Sequence, residues 1–148
     1  MANCEILLVE DNPDDVELTK LAFEESKLCN EMVVARDGQE ALDYLFGCGG
    51  DSCGEPMPSL VLLDLKLPKI DGMEVLRRLR DDPRTKCLPV IILTSSREDE
   101  DIVRSYSLGA NAYVRKPVDF NEFVAAARAL GLFWLVLNQP PPRRRTCQ

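Results

Sequence analysis

The chain has 148 residues, 45% of them hydrophobic and 29% charged, with 18 Lys and Arg against 25 Asp and Glu for a net charge of −7. That length suits one domain with a sizeable core, and the composition is that of a globular protein. The acidic balance argues against sequence-independent nucleic-acid binding, and no apolar run approaches the ~20 residues of a bilayer crossing.

The opening, MANCEILLVED, lacks a basic flank and does not read as a secretory signal. The six cysteines (Cys4, Cys29, Cys48, Cys53, Cys87 and Cys147) are therefore expected as thiols in a reducing cytoplasm. The sequence contains no histidine. Ser-His-Asp and Cys-His catalysis are excluded, and so is a phosphohistidine of the chain's own.

Short apolar runs alternate with segments of helical period. The first run, Glu5–Val9, leads into a helix from Pro13 to about Leu28, with Val16, Leu21, Phe23 and Leu28 expected to point inward. Met32–Ala35 is a second strand, and Gln39–Phe46 a helix with Ala41, Leu42 and Leu45 on one side. A loop rich in Gly and Pro covers Gly47–Pro58. Leu60-Val61-Leu62-Leu63 ends on Asp64 and precedes a helix over Gly72–Arg80, with Met73, Leu76 and Leu79 inward. Leu88–Leu93 ends on Thr94, and the helix Glu98–Leu108 stops at Gly109, a good C-terminal cap. Asn111–Val114 is a short strand running into Arg115-Lys116-Pro117. The last helix runs from Asp119 to about Leu137 before Asn138-Gln139-Pro140-Pro141-Pro142 ends it.

Near-continuous apolar strands, each followed by a helix, imply a parallel sheet covered on both faces. Right-handed crossovers then predict a doubly wound α/β domain over 1–137 with five strands in the order 2-1-3-4-5. Residues 138–148 form a Pro- and Arg-rich tail whose Arg143, Arg144 and Arg145 read as a solvated end.

In such sheets, sites form beyond the carboxyl ends of the strands. Here those ends carry Glu10 and Asp11, Asp64, Thr94 and Lys116. Oxygen-donor acids suit Mg²⁺, an aspartate can hold a phosphoryl group, and a lysine offsets its charge. Taken singly each has a plainer role: a turn-forming acid, a capping threonine, a solvated lysine. Within VEDNPDD, Glu10 and Asp11 are assigned to this edge. Asn12 is expected as an N-cap, Pro13 as the first helical residue, and Asp14 and Asp15 as acids favouring the positive helix end.

The pieces ILLVEDNPDD, LVLLDLKLPKIDG, VIILTSS and AYVRKPV, in this order and spacing, resemble the receiver domain of two-component response regulators, a flavodoxin-like fold. The resemblance implies a phosphoacceptor signalling protein, not an enzyme with a separate substrate. Asp64 would take the phosphoryl group from a sensor histidine kinase. Asp11 would bind Mg²⁺ directly, Glu10 mainly through water, and Asp64 and the Lys66 carbonyl would complete the metal set. Thr94 and Lys116 would engage the phosphoryl group. Thr94 and Tyr113 would form the switch, and the Lys116–Pro117 peptide would be cis. Lys66 could aid charge neutralisation, shield against hydrolysis or compete with Mg²⁺.

The Gly47–Pro58 loop and the stretch GLFWLVLNQPPP resemble single-domain response regulators paired with bacterial phytochromes, implying such a kinase as partner. The chain ends soon after the last helix, so its output is expected to be altered binding to a downstream protein. Phe133 and Trp134 make a self-paired dimer through the last helix and strand an expectation. A strand-end-aspartate phosphatase is the enzyme alternative, weakened by Lys66 where such enzymes carry a second acid. A flavin or nucleotide binder would need a Gly- or Ser-rich loop where this chain has acids. A never-phosphorylated scaffold is the third alternative.

Overall fold

The computed structural model describes residues 5–26, 31–46, 57–116 and 119–131. Their elements are β1 (Glu5–Val9), α1 (Pro13–Ser26), β2 (Glu31–Ala35), α2 (Gly38–Phe46), β3 (Leu60–Leu63), α3 (Gly72–Asp81), β4 (Val90–Thr94), α4 (Asp99–Ser107), β5 (Ala112–Arg115) and α5 (Phe120–Gly131). All four strand pairings are parallel and the order is β2-β1-β3-β4-β5, as the sequence predicts.

The central strands β1, β3 and β4 are buried almost throughout because both faces are covered, while the edge strands β2 and β5 are largely half-buried. Alternate side chains serve opposite layers: Ile6 and Leu8 pack with Val16 and Phe23 of α1 and Phe123 and Ala127 of α5. Leu7 and Val9 pack with Leu42 and Leu45 of α2 and Val75, Leu76 and Leu79 of α3. Ser105 is the buried residue of α4, which makes that helix the most loosely embedded of those whose burial is described.

Several local expectations hold. Asn12 caps α1, accepting from the Asp14 and Asp15 amides at 2.9 and 3.3 Å. Gly109 takes φ 104°, the left-handed conformation that suits glycine, and closes α4 through its amide to the Tyr106 carbonyl at 3.0 Å. Leu21 is a correction: it is 47% exposed. Five residues beyond Val16 it stands ~140° round the helix, and Thr19 takes the inward place instead. The fifth strand begins and ends one residue later than expected.

Cys87, expected as a thiol, is disulfide-bonded, and its partner lies outside the described residues. Phe133, Trp134 and most of the Gly47–Pro58 loop also lie outside them, as does the 138–148 tail. Among the described residues, no helix is long and apolar enough to cross a membrane.

Candidate functional site

The backbone ladder carries the expected residues to one edge of the sheet. The Glu10 amide donates to the Ala35 carbonyl at 2.9 Å, Asp64 to Val9 at 3.0 Å and Lys116 to Thr94 at 2.8 Å. Each site residue is thus fixed by one more inter-strand bond at or just past its strand's end. Glu10, Asp64 and Thr94 are buried, while Asp11 is exposed.

Lys116 is the hub. Its Nζ donates to Glu10 Oε1, to Asp15 Oδ2 at 2.9 Å and to Asp64 Oδ2 at 3.0 Å, using all three of its N–H bonds. The bond to Asp15 is unanticipated by the sequence reading, which gave that acid only a helix-end role. The VEDNPDD acids therefore divide differently from expectation: Glu10, Asp11 and Asp15 belong to the site, and Asp14 alone is left as an exposed helix-end charge.

One carboxylate oxygen from each of Glu10, Asp11 and Asp64 lies within 4.8 Å of the others. An all-oxygen, anionic donor set of this size fits a hard divalent cation such as Mg²⁺ or Mn²⁺ and suits softer metals poorly. Lys66 approaches the group through its backbone, its amide donating to Asp64 Oδ1 at 3.4 Å, while the residue itself is exposed.

Charge is unevenly distributed among these groups. Burial, with the nearby Asp64 charge adding to it, pushes the Glu10 carboxyl up to about 7 against the pull of Lys116. Burial works the same way on Asp64, but Lys116 and hydrogen bonds from Thr94 and Glu10 outweigh it and hold that carboxyl below its usual value. Lys116 is also penalised by burial, yet its bonds to Asp15 and Glu10 and the Asp64 charge keep its pKa above the ordinary lysine value. Asp64 is thus ionised near neutral pH, and Lys116 is a cation.

Gly72 lets α3 approach this edge. A Cβ there would lie 2.2 Å from the Asp64 carbonyl oxygen, and the Gly72 amide donates to Leu65 at 2.9 Å. Asp71 caps the helix by accepting from the Glu74 amide at 3.0 Å.

On the other side, Ser96 gathers the expected switch residues. Its amide donates to Thr94 Oγ1 at 3.4 Å, and its carbonyl accepts from the half-buried Tyr113 hydroxyl at 3.1 Å. Its own hydroxyl donates to Asp101 Oδ2 at 2.6 Å and accepts from the Glu98 amide at 3.3 Å. Thr94 and Tyr113 therefore meet α4 through a residue that had been given no role. The available signal was a small hydroxyl residue two positions after Thr94, ahead of an acidic helix start. Pro117 lies outside the described residues, and the expected cis Lys116–Pro117 peptide with it.

Residues 6–128 match the response regulator receiver domain family. Response regulator Rcp1 of Synechocystis sp. is 37% identical over 130 residues, covering 88% of this chain and 88% of Rcp1. A solved Mn²⁺-bound form of Rcp1 superposes with a TM-score of 0.84 at 34% identity, covering 94% of this chain and 99% of that one. The phosphorylated cyanobacterial phytochrome response regulator RcpA gives a TM-score of 0.87 at 38% identity, covering 95% of this chain and 100% of RcpA. The bacteriophytochrome response regulator RtBRR is 54% identical with a TM-score of 0.73, covering 96% of this chain and 86% of its own. The chain belongs to the response regulator receiver domain family of two-component signalling proteins, among relatives associated with phytochromes.

Proposed function

We propose that Asp64 accepts a phosphoryl group from a sensor histidine kinase in a reaction dependent on a divalent cation, and that the protein signals by changed binding to another protein. The observation that carries this reading is the convergence of ionised Asp64 with the Lys116 ammonium and the Thr94 hydroxyl beside the Glu10–Asp11 carboxylates. An Asp64 oxygen forms the new O–P bond as the donor's bond to phosphorus breaks, and the displaced imidazole keeps the electron pair. The donor histidine is not among these 148 residues, which contain none.

Glu10, Asp11 and Asp64 would hold Mg²⁺, with the Lys66 carbonyl as a further oxygen ligand. The ion supplies charge neutralisation on the transferring group's oxygens. Lys116 turns one N–H from Asp64 Oδ2 to a phosphoryl oxygen, and Thr94 redirects its hydroxyl to another. The Ser96 amide then loses its bond to Thr94 Oγ1, and the change reaches Tyr113 and Asp101 through the same residue. The α4 face exposes Val103 and Tyr106, 65% and 49% accessible, which supports a protein partner there. The likeness to phytochrome response regulators supports a phytochrome kinase as the input. A second copy docking through β5 and α5 is the dimer form of this reading. Sedimentation showing only monomer at every concentration, phosphorylated or not, rules that form out.

The test is intact mass after incubation with a small-molecule phosphodonor and Mg²⁺. The expected result is a gain of one phosphoryl group, absent in Asp64→Asn and after chelation. A wild-type protein that gains nothing from this donor or from a histidine kinase contradicts the reading.

A further inference from the structure

We propose that Asp15 is a positioning residue that holds the Lys116 ammonium in place while the other groups around it change partners. The inference rests on the phosphoacceptor reading of Asp64 and adds a residue to it.

The lysine's three acceptors are not equivalent. Glu10 and Asp64 also belong to the trio whose oxygens lie within 4.8 Å of one another, so a cation bound there draws on both. Asp64 changes further, since one of its oxygens becomes esterified. Asp15 stands outside that trio and is the acceptor that neither event consumes.

Asp15 is itself well fixed. It lies in the first turn of α1, where its amide donates to Asn12 Oδ1 at 3.3 Å. Its carbonyl accepts from the hydroxyl of buried Thr19 at 2.7 Å. Its side chain is 29% accessible against 3% for Glu10 and 9% for Asp64, so it is the most solvent-accessible of the lysine's three acceptors. A lysine side chain has four flexible carbons and considerable rotamer entropy to lose. An acceptor on a rigid helix turn restricts that search before the phosphoryl group arrives.

The plainer account is that Asp15 only complements the helix end. Asp14 supplies the comparison: it has the same charge in the same turn and is exposed to solvent. A helix-end effect acts through either acid, whereas the bond to Lys116 joins residues 101 positions apart and belongs to Asp15.

The experiment measures phosphorylation rate by mass, with a small-molecule phosphodonor at saturating Mg²⁺. It compares wild type, Asp15→Ala, Asp15→Asn, Asp14→Ala, Lys116→Ala and Asp15→Ala combined with Lys116→Ala. The expected result is a several-fold lower maximal rate in Asp15→Ala, with the half-saturating donor concentration unchanged. Asp15→Asn, which keeps an acceptor oxygen, recovers part of the rate, and Asp14→Ala matches wild type. On the Lys116→Ala background the Asp15 substitution has no further effect. A wild-type rate in Asp15→Ala, or an equal loss on both backgrounds, overturns the proposal.

A second readout needs neither metal nor phosphate: solvent exchange of the Lys116 ammonium by ¹⁵N NMR. Exchange is expected to be several-fold faster in Asp15→Ala than in wild type and Asp14→Ala, although Glu10 and Asp64 remain as acceptors. Exchange in Asp15→Ala equal to that of wild type overturns the proposal even if the wild-type protein takes no phosphoryl group. That last result would contradict only the function proposed for Asp64.

Discussion

Two sheltered cations sit at opposite ends of the sheet, and their surroundings differ in kind. Lys116, beyond the carboxyl end of β5, is surrounded by carboxylates. Arg80, at the amino ends of β4 and β5, is surrounded by neutral oxygens. Its Nε donates to the Gly109 carbonyl at 2.8 Å. Its two other nitrogens reach the carbonyls of Thr85, Lys86 and Leu88 and the side chain of Asn111, at 2.8–3.2 Å. Asn111 Oδ1 also accepts from the Val90 amide at 2.8 Å, so the guanidinium ties the turn before β4 to the turn before β5. Backbone carbonyls fixed in turns have nowhere else to go. On the proposed function the carboxylates around Lys116 do, because a cation or a phosphoryl group would replace the lysine's hold on them. That function would have one end stay fixed and the other change partners.

The sharpest way to break this contrast is to remove each cation and ask whether Mg²⁺ compensates. Lys116→Ala should lose about 3–5 kcal/mol in metal-free buffer, the usual cost of stripping one partner from a buried ion pair. Added Mg²⁺ should restore part of that loss. Arg80→Ala should lose about 3 kcal/mol, since hydrogen bonds to a charged donor contribute about 1.5–3 kcal/mol each but do not add fully. Mg²⁺ should restore no more to it than to wild type. Urea unfolding with and without Mg²⁺ measures both, and equal rescue would erase the distinction.

Next in size is Gly72→Ala. Its Cβ would press on the Asp64 carbonyl oxygen, and over-packing of this kind costs about 1–3 kcal/mol. It should also slow Asp64 phosphorylation, whereas Arg80→Lys should leave that rate unchanged at temperatures where it is folded.

The pH dependence follows from Glu10, whose folded carboxyl is raised from 4.5 to about 7. Between those values the folded state holds a proton that the unfolded state releases, so this group's contribution to stability falls as pH rises. The lowered Asp64 value acts at pH below 4, and the raised Lys116 value acts in alkali, so neither obscures this window. Metal binding needs the carboxylate, so Mg²⁺ affinity should rise with pH towards 7 and level off above it. Calorimetric titration across pH 5–8 (about the range set by that shift), with Glu10→Gln as the flat control, checks this. The smallest effect belongs to Asp14→Ala, about 0.3–1 kcal/mol as a helix-end charge lost.

The edge that carries the candidate site was legible because sequence position decides it. In a parallel sheet every carboxyl end lies on one side, so Glu10, Asp64, Thr94 and Lys116 could be placed by noting what followed each apolar run. What sequence left out depends on contacts across the fold. Asp15 read as a helix-end charge because nothing in VEDNPDD points to a lysine 101 residues away. Ser96 was one of two serines after Thr94, and its place between Thr94, Tyr113 and Asp101 emerges only when β4, β5 and α4 are assembled. Arg80 read only as the last residue of the helix from Gly72, and its cage joins the turn just after it to a second turn 29–31 residues on. Leu21 was misplaced by counting hydrophobic residues without their angle around the helix, and the Cys87 disulfide has no signature in spacing.

The contrast between the two ends is tested most directly by hydrogen exchange on the protein before and after phosphorylation with a small-molecule donor and Mg²⁺. The account predicts changed protection over residues 94–101, where Thr94 and Ser96 lead into α4, and unchanged protection over 85–88 and 109–111, where Arg80 holds the turns. Unchanged exchange over 94–101, or an equal change at the Arg80 turns, would contradict it.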